Sequence, residues 1–339
     1  MSRNITFDDV LIKPKFSKIT SRKDVDISSS IGDLKLNLPV ISSNMDTVTS
    51  IEMAHAMYKY GGIGCLHRFS DINQNVKVVK EILSNNSNAI VSIGLGNYEY
   101  ERAVALIEAG AKYVCIDVAH GAQISVVEQF NNLYDKYKDS IGIIVGNFAT
   151  GDSIKEFRSL AKKEPLAFKV GVGGGSACLT RIQTGCGVPQ LSSVIDCVNL
   201  NKESNIISDG GKKYPGDIAK ALAVGAKAVM LGSMLAGCDE SPGELINGKF
   251  KKYRGSASQE SYEVQGKVAQ WRTFEGDSFL VPYKGSVEKI LQNIEGGIRS
   301  SFSYVGASTI AEFQEKAEIV EISYSTLKEN FAHGKNQIL

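Results

Sequence analysis

What most restricts the fold of this chain is an alternation repeated eight times along it: a short run rich in small and β-branched apolar residues, then a longer amphipathic stretch. The short runs are PVISSNM (39–45), GIGCL (62–66), AIVSIGL (89–95), YVCIDVA (113–119), GIIVGNF (142–148), AFKVGV (167–172), NIISDG (205–210) and AVMLGSM (228–234). Between them, stretches such as SIEMAHAMYKY (50–60), NQNVKVVKEILSN (73–85), EYERAVALIEAGA (99–111), SVVEQFNNLYDKY (125–137), DSIKEFRSLAKK (152–163) and PGDIAKALAVGA (215–226) place apolar residues at three- and four-residue intervals. That spacing predicts helices. Gly61, Gly110 and Gly225 stand just before the next strand, where helices end. Eight strand–helix units predict a parallel (β/α)8 barrel. An open doubly wound sheet could absorb the same alternation. Two features favour the barrel: the first βα turn carries no GxGxxG string, and the glycine-rich and polar strings gather just after strands.

The richest of those strings is KVGVGGGSACLTRIQTGCGVPQLSSV (169–194). Its glycines at 171, 173, 174 and 175 let the backbone approach a ligand and turn amides toward an anion; Ser176, Cys178 and Thr180 follow on the same turn. A thiol beside positive potential ionises more readily, and the thiolate is the nucleophile. Read plainly, the glycines are a sharp bend and Cys178 a small buried apolar residue. SDGG (208–211) offers the Asp209 carboxylate to a ribose diol and the amides of Gly210 and Gly211 to phosphate, or serves as a turn capping the helix that begins near Pro215. LGS (231–233) is a third loop of this kind, and the three together suit a mononucleotide. IDVAHG (116–121) ends another strand, where Asp117 suits a cofactor contact or a helix cap; Asn147 lies one strand on.

GVGGGSACLTR (171–181) followed by TGCGVPQ (184–190) resembles the catalytic loop of the inosine monophosphate dehydrogenase and guanosine monophosphate reductase family. DDVLIKP (8–14), NMDTVTS (44–50), SDGGKKYPGDIAKALAVGAKAVMLGSMLAG (208–237), YRG (253–255) and the segment 275–307 continue the likeness, in order, from about residue 6 to about residue 310. The resemblance implies that Cys178 attacks C2 of a purine nucleotide and that Thr180 and Glu275 handle the proton. It implies that Ser176, Asp209, Gly210, Gly211, Gly232 and Ser233 hold the ribose phosphate, and that Gly255, Ser256, Ala257, Arg272 and Gly276 join Glu275 around the base. Arg68, Asp117, Val118, Ala119, Trp271, Arg272, Ser300, Ser301 and Ser303 would contact a dinucleotide. Ser21 and Arg22 would lie near the dinucleotide of a neighbouring subunit in a homotetramer. A monovalent cation, potassium, would be held at Gly173, Gly175, Cys178 and Arg181. Many dehydrogenases of the family insert a regulatory pair of repeats after the second strand. Here GIGCLHRFSDINQNVKVVKEIL (62–83) runs straight into a helix, so residues 1–339 are expected to form one catalytic domain.

Only 22 positions separate Tyr253 from Glu275, and no Arg-Tyr pair follows YRG, whereas dehydrogenase flaps carry that pair in a longer insertion to activate water. The likeness therefore implies the family's reductase activity: NADPH-dependent reductive deamination of GMP to IMP and ammonia. An IMP dehydrogenase lacking the regulatory domain, making XMP with NAD, is the alternative, and a non-catalytic nucleotide-binding barrel a third. Four departures bear on this: Ser256 follows YRG where Met is usual, Gly174 replaces a proline, Asp277 stands where a lysine is common, and GGIGCLHRF is nearer the dehydrogenase pattern. Asp277 leaves the choice between NADPH and NADH open.

Bulk composition is consistent with this picture. Lys plus Arg number 38 against 37 Asp plus Glu, a net charge of +1, so neither nucleic acid nor an anionic membrane is an expected partner. The six scattered cysteines show no C-x-x-C spacing, the four histidines lie far apart, and no apolar run has membrane-spanning length. A cytoplasmic protein with reduced thiols is expected. The opening ITFDDVLIKPKFSKITSRKDVDIS (5–28), polar with short apolar islands, is expected to form a surface strand pair.

Overall fold

The computed structural model describes residues 4–265 and 273–330. Eight parallel strands form a closed ring: β1 (Val40–Ser42), β2 (Ile63–Leu66), β3 (Ala89–Ile93), β4 (Tyr113–Asp117), β5 (Gly142–Phe148), β6 (Ala167–Val170), β7 (Ile206–Asp209) and β8 (Ala228–Leu231). Pairing of Val229, Met230 and Leu231 with Val40, Ile41 and Ser42 closes it, which excludes the open-sheet alternative. The helices on its outside are α1 (Ile51–Lys59), α2 (Ile72–Ser84), α3 (Asn97–Glu108), α4 (Ile124–Tyr137), α5 (Gly151–Leu160), α6 (Gln190–Leu200), α7 (Pro215–Ala223) and α8 (Val287–Val305). Their starts and stops follow the sequence. The Asp71 carboxylate caps α2 by accepting from Gln74 N–H at 2.8 Å, and Gly61, Gly110 and Gly225 adopt positive φ just beyond α1, α3 and α7.

Strand alternation sorts the apolar residues into two cores. Val114, Ile116, Phe168, Val170 and Ile206 face the helices, where Phe148 and Phe168 meet edge to face at 5.3 Å; Tyr113, Cys115, Ala167, Ile207, Ala228 and Met230 face the interior. The antiparallel hairpin of Ser29–Ile31 and Leu34–Leu36 closes the N-terminal end, adding Ile31, Leu34 and Leu36 to the interior core. Each contributes roughly 1.5–3 kcal/mol by leaving water. The same alternation, continued two residues toward the C-terminal strand ends, turns Asp117, Lys169 and Asp209 into the barrel mouth.

Residues 5–28 read as a surface strand pair in the sequence, and the structure corrects this. Phe7, Val10, Val25 and Ile27 are buried, and the strand Val10–Ile12 pairs with Ile319–Glu321 from the far end of the chain. After β8, the strands Phe250–Arg254 and Ser278–Pro282 pair antiparallel and carry the flap between them. No helix of the described residues is long and apolar enough to cross a membrane.

Candidate active site

The glycine loop leaves β6 through Gly171, whose φ of +151° and position against β7 tolerate no side chain: a Cβ there would lie 1.9 Å from the Asp209 carbonyl oxygen. This close approach brings the loop holding Cys178 over the end of β7. Gly171→Ala is expected to cost about 1–3 kcal/mol through backbone strain and overpacking. Thermal unfolding reads this directly, and an unshifted midpoint would count against so tight a packing.

Cys178 is half-buried and its Sγ lies 3.1 Å from the Thr180 hydroxyl, which donates to Glu275 Oε2 at 2.8 Å. Glu275 is far off in sequence and reaches Thr180 because its segment is stitched on both sides. Leu179 N–H donates to the Glu275 carbonyl at 2.7 Å, Asp277 N–H to the Ala177 carbonyl at 2.9 Å, and Glu275 N–H to the Ala257 carbonyl at 3.1 Å. A sulfur, a hydroxyl and a carboxylate thus form one hydrogen-bonded line across which a proton can move.

Beneath them is a group the sequence reading missed. Lys169 is 2 % exposed, and its ammonium donates to Asp117 Oδ1 at 2.6 Å, to Asp209 Oδ2 at 2.9 Å and to Asn147 Oδ1. Asn44 Nδ2 donates to the other Asp117 oxygen at 2.8 Å, and Asn147 Nδ2 to Asp209 Oδ2 at 2.9 Å. Burial pushes the Asp117 carboxyl up, but the adjacent Lys169 charge and the hydrogen bonds from Lys169 and Asn44 outweigh it and hold the carboxyl below its ordinary value. Burial likewise opposes the Lys169 charge, and Asp117 and Asp209 overcome it, so its pKa rises well above the usual lysine range. The signal was a lysine in an apolar strand, AFKVGV, two positions after inward-facing Ala167. Neither Asp209 nor Asp117 is a helix cap: Asp217 accepts from Lys213 and Tyr214 N–H at the start of α7, and no side chain caps α4.

A cavity of about 750 Å³ opens over these groups. Its walls include Cys178, Thr180, Glu275, Gly276, Gly255, Ser256 and Ala257, together with Arg68, Asp117, Val118 and Ala119 and with Gly173, Gly175, Asp209 and Gly210. The Arg68 Nε is buried without a hydrogen-bond partner among the described residues. A smaller adjoining cavity, about 140 Å³, is lined by Ser176, Gly210, Gly211, Gly232 and Ser233, together with Lys212 and Tyr253. Tyr253 was not singled out as a site residue. It is 3 % exposed, lines both cavities, and its phenol oxygen accepts from the Ser176 hydroxyl at 3.4 Å.

Other residues lie elsewhere. Ser21, Arg22, Ser300, Ser301 and Ser303 are absent from these walls. The Arg22 guanidinium sits 6.0 Å from the Tyr304 ring, and the three serine hydroxyls donate to carbonyls within α8. The Arg181 guanidinium lies under the glycine loop, donating to the Val172 carbonyl at 3.2 Å and the Val188 carbonyl at 2.5 Å. Trp271 and Arg272 fall outside the described residues.

Comparison with known proteins agrees with this architecture. The IMP dehydrogenase / GMP reductase domain matches residues 4–333. GMP reductase 2 from Bos taurus is 38 % identical over 336 residues, covering 94 % of each chain. The inosine-5′-monophosphate dehydrogenase of Cryptosporidium parvum is 34 % identical over 388 residues, covering 98 % of this chain and 96 % of its own. In three dimensions the crystal structure of a GMP reductase variant from Trypanosoma brucei, in complex with guanosine 5′-monophosphate, matches with a TM-score of 0.92 at 26 % identity, covering 98 % of each chain. With the closed barrel, the strand-end loops and a match over nearly its whole length, the chain belongs to the IMP dehydrogenase / GMP reductase family of oxidoreductases.

Proposed function

We propose that this protein is a GMP reductase, converting GMP to IMP and ammonia with NADPH through a covalent adduct on Cys178. The observation that carries the reading is the line Cys178–Thr180–Glu275, held by a flap segment too short for a water-activating insertion. Similarity to the Bos taurus GMP reductase supports it.

In this reading the smaller cavity takes the phosphate on the amides of Gly211, Gly232 and Ser233 and on the Ser176 hydroxyl. Asp209, oriented by Lys169 and Asn147, takes the ribose hydroxyls. Gly255, Ser256, Ala257 and Gly276 flank the base, and Arg272 would join them. Cys178 loses its proton toward Thr180 and Glu275, and its sulfur bonds to C2 of guanine. The proton then returns through Thr180 to the departing amine, since NH₂⁻ is too basic to leave unprotonated. The C2–N bond breaks, ammonia leaves, and a thioimidate remains until C2 is reduced and the thiolate departs.

Arg68, Asp117, Val118 and Ala119 in the lining of the large cavity fit a dinucleotide: the Arg68 Nε, with no hydrogen-bond partner among the described residues, is a donor that such a ligand can satisfy. Such a cofactor supplies the hydride that replaces the amine at C2. Trp271, Arg272, Ser300, Ser301 and Ser303 would complete that site, with Ser21 and Arg22 of an adjacent copy in a homotetramer. A monovalent cation, potassium, would be held on backbone carbonyls at Gly173, Gly175, Cys178 and Arg181, since a carbonyl that accepts one hydrogen bond keeps a second lone pair. The Gly175 carbonyl accepts from Cys178 N–H at 3.0 Å, the Arg181 carbonyl from Gly185 N–H at 3.1 Å, and the Arg181 side chain packs on Gly173. No step is assigned to potassium. The reading also takes the chain as one catalytic domain in the cytoplasm, consistent with the short passage from Leu66 to α2 at Ile72.

The test is spectrophotometric. Pure protein is expected to consume NADPH with GMP and to leave NAD unreduced with IMP. NADH formation from IMP would replace this reading by the dehydrogenase, and silence in both assays with GMP bound would leave a binding module.

A further inference from the structure

Lys212 follows the glycine pair that ends β7, and it is 5 % exposed. Its ammonium donates to the Ser208 carbonyl at 2.6 Å and to the Ser208 hydroxyl at 3.2 Å, both groups of the strand that presents Gly210 and Gly211. Two carboxylates act on it from a distance, and both are already engaged. Asp209 accepts from Lys169 and Asn147; Asp217 accepts from Lys213 and Tyr214 N–H and from Lys220. Of the other cations nearby, Lys169 repels it and Lys213 is spent on Asp8 at 2.6 Å. The Phe7 ring covers another side, its centroid 6.0 Å from Nζ. The result is a buried ammonium with neutral partners, carried by a residue that lines the smaller cavity together with Ser176, Gly211, Gly232 and Ser233.

We propose that Lys212 is the counter-ion of the substrate's phosphate group, acting from within the cavity wall behind the glycine amides, and that phosphate binding is thereby linked to proton uptake. The inference rests on the nucleotide reading above and adds to it the group that balances the phosphate charge. A buried cation without a countercharge is costly, and a dianion arriving in the adjacent cavity supplies one. Burial brings the Lys212 pKa down to about 7, with Asp209 and Asp217 opposing that fall and Lys169 reinforcing it. A large fraction of free protein then holds Lys212 neutral at neutral pH, and the bound phosphate draws the proton back. The complex binds more protons than its separated parts, so affinity for a phosphorylated ligand falls as pH rises above about 7.

Lys212→Met keeps the length and apolar stem of the side chain. It is expected to weaken GMP binding on the order of 10-fold or more, the scale of a charge-assisted interaction, while guanosine, which lacks phosphate, binds as to wild type. Equal weakening of both ligands, or none for GMP, overturns the proposal. A measurement on the unmutated protein stands beside it. Calorimetric titration at pH 8 in two buffers of different ionisation enthalpy is expected to show proton uptake with GMP and none with guanosine; uptake absent from both overturns the proposal. Wild-type protein that bound no GMP would instead remove the nucleotide reading itself.

Discussion

Cys178→Ala is expected to lower GMP turnover on the order of 10⁴-fold or more, the scale on which losing a covalent nucleophile acts, while GMP binds within a few-fold of wild type. The two effects separate because the sulfur acts only in bond making, whereas the groups proposed to hold phosphate and ribose belong to the adjoining cavity and to Asp209. Cys186 serves as the control. It sits on the same loop but is exposed, its thiol reaches only the Thr184 carbonyl at 3.7 Å, and it does not line the large cavity. Cys186→Ala is therefore expected to retain most of the rate. Steady-state assays with GMP and NADPH, paired with calorimetric GMP binding, check both variants. If Cys178→Ala kept a tenth of the wild-type rate, or if Cys186→Ala were the inactive one, the covalent reading would fail.

The expected loss at Cys178 is also where the sequence was most informative. A glycine string after a strand needs only local chemistry to be read as a close approach to a ligand, and eight β-rich runs need only their count and order to suggest a barrel. What local pattern could not supply was the partner of each group. The apolar residues at 5–28 looked like a surface strand pair because the strand that covers Val10–Ile12 is Ile319–Glu321, a pairing no neighbouring residue announces. Lys169 read as the first residue of a loop motif. It becomes a hub only when the closed ring sets β4, β5, β6 and β7 side by side and strand alternation turns Asp117, Lys169 and Asp209 to one mouth. Glu275 entered through family likeness alone, because the contact that gives it meaning, with Thr180, is made by a segment folding back over the glycine loop.

Lys169→Met carries the second large expectation, and its sign follows from the charges around it. The lysine is the cation shared by Asp117 and Asp209, and removing one partner of a buried pair leaves uncompensated charge, with an expected cost of about 3–5 kcal/mol. In the wild type the Asp117 carboxyl is held below its ordinary value, so its contribution to stability is present at neutral pH and is lost as pH falls through that lowered value. Without Lys169, burial acts on Asp117 unopposed by its main counter-charge. The carboxyl then titrates higher, and its protonation as pH falls removes the stranded charge, so the variant regains part of its loss in acid while the wild type gives up the Asp117 contribution. Lys169 itself has a raised pKa, so its own contribution is complete below the ordinary lysine value and fades only as the solution becomes strongly alkaline. Denaturant titrations across the acid range are thus expected to show the largest gap between the two proteins near neutrality, and a second variant, Lys169→Met with Asp117→Asn, to regain part of the loss because one stranded carboxylate has become neutral. Function gives a separate readout. Asp209 faces the proposed ribose site and Asp117 the proposed dinucleotide site, so a single cation orients a residue for each ligand, and Lys169→Met is expected to raise the KM for both GMP and the dinucleotide as well as lowering kcat. A folded Lys169→Met protein with unchanged KM values for both would show that the two carboxylates hold their places without the lysine, and the linkage between the two halves of the cavity would have to run through Asn147 and Asn44 instead.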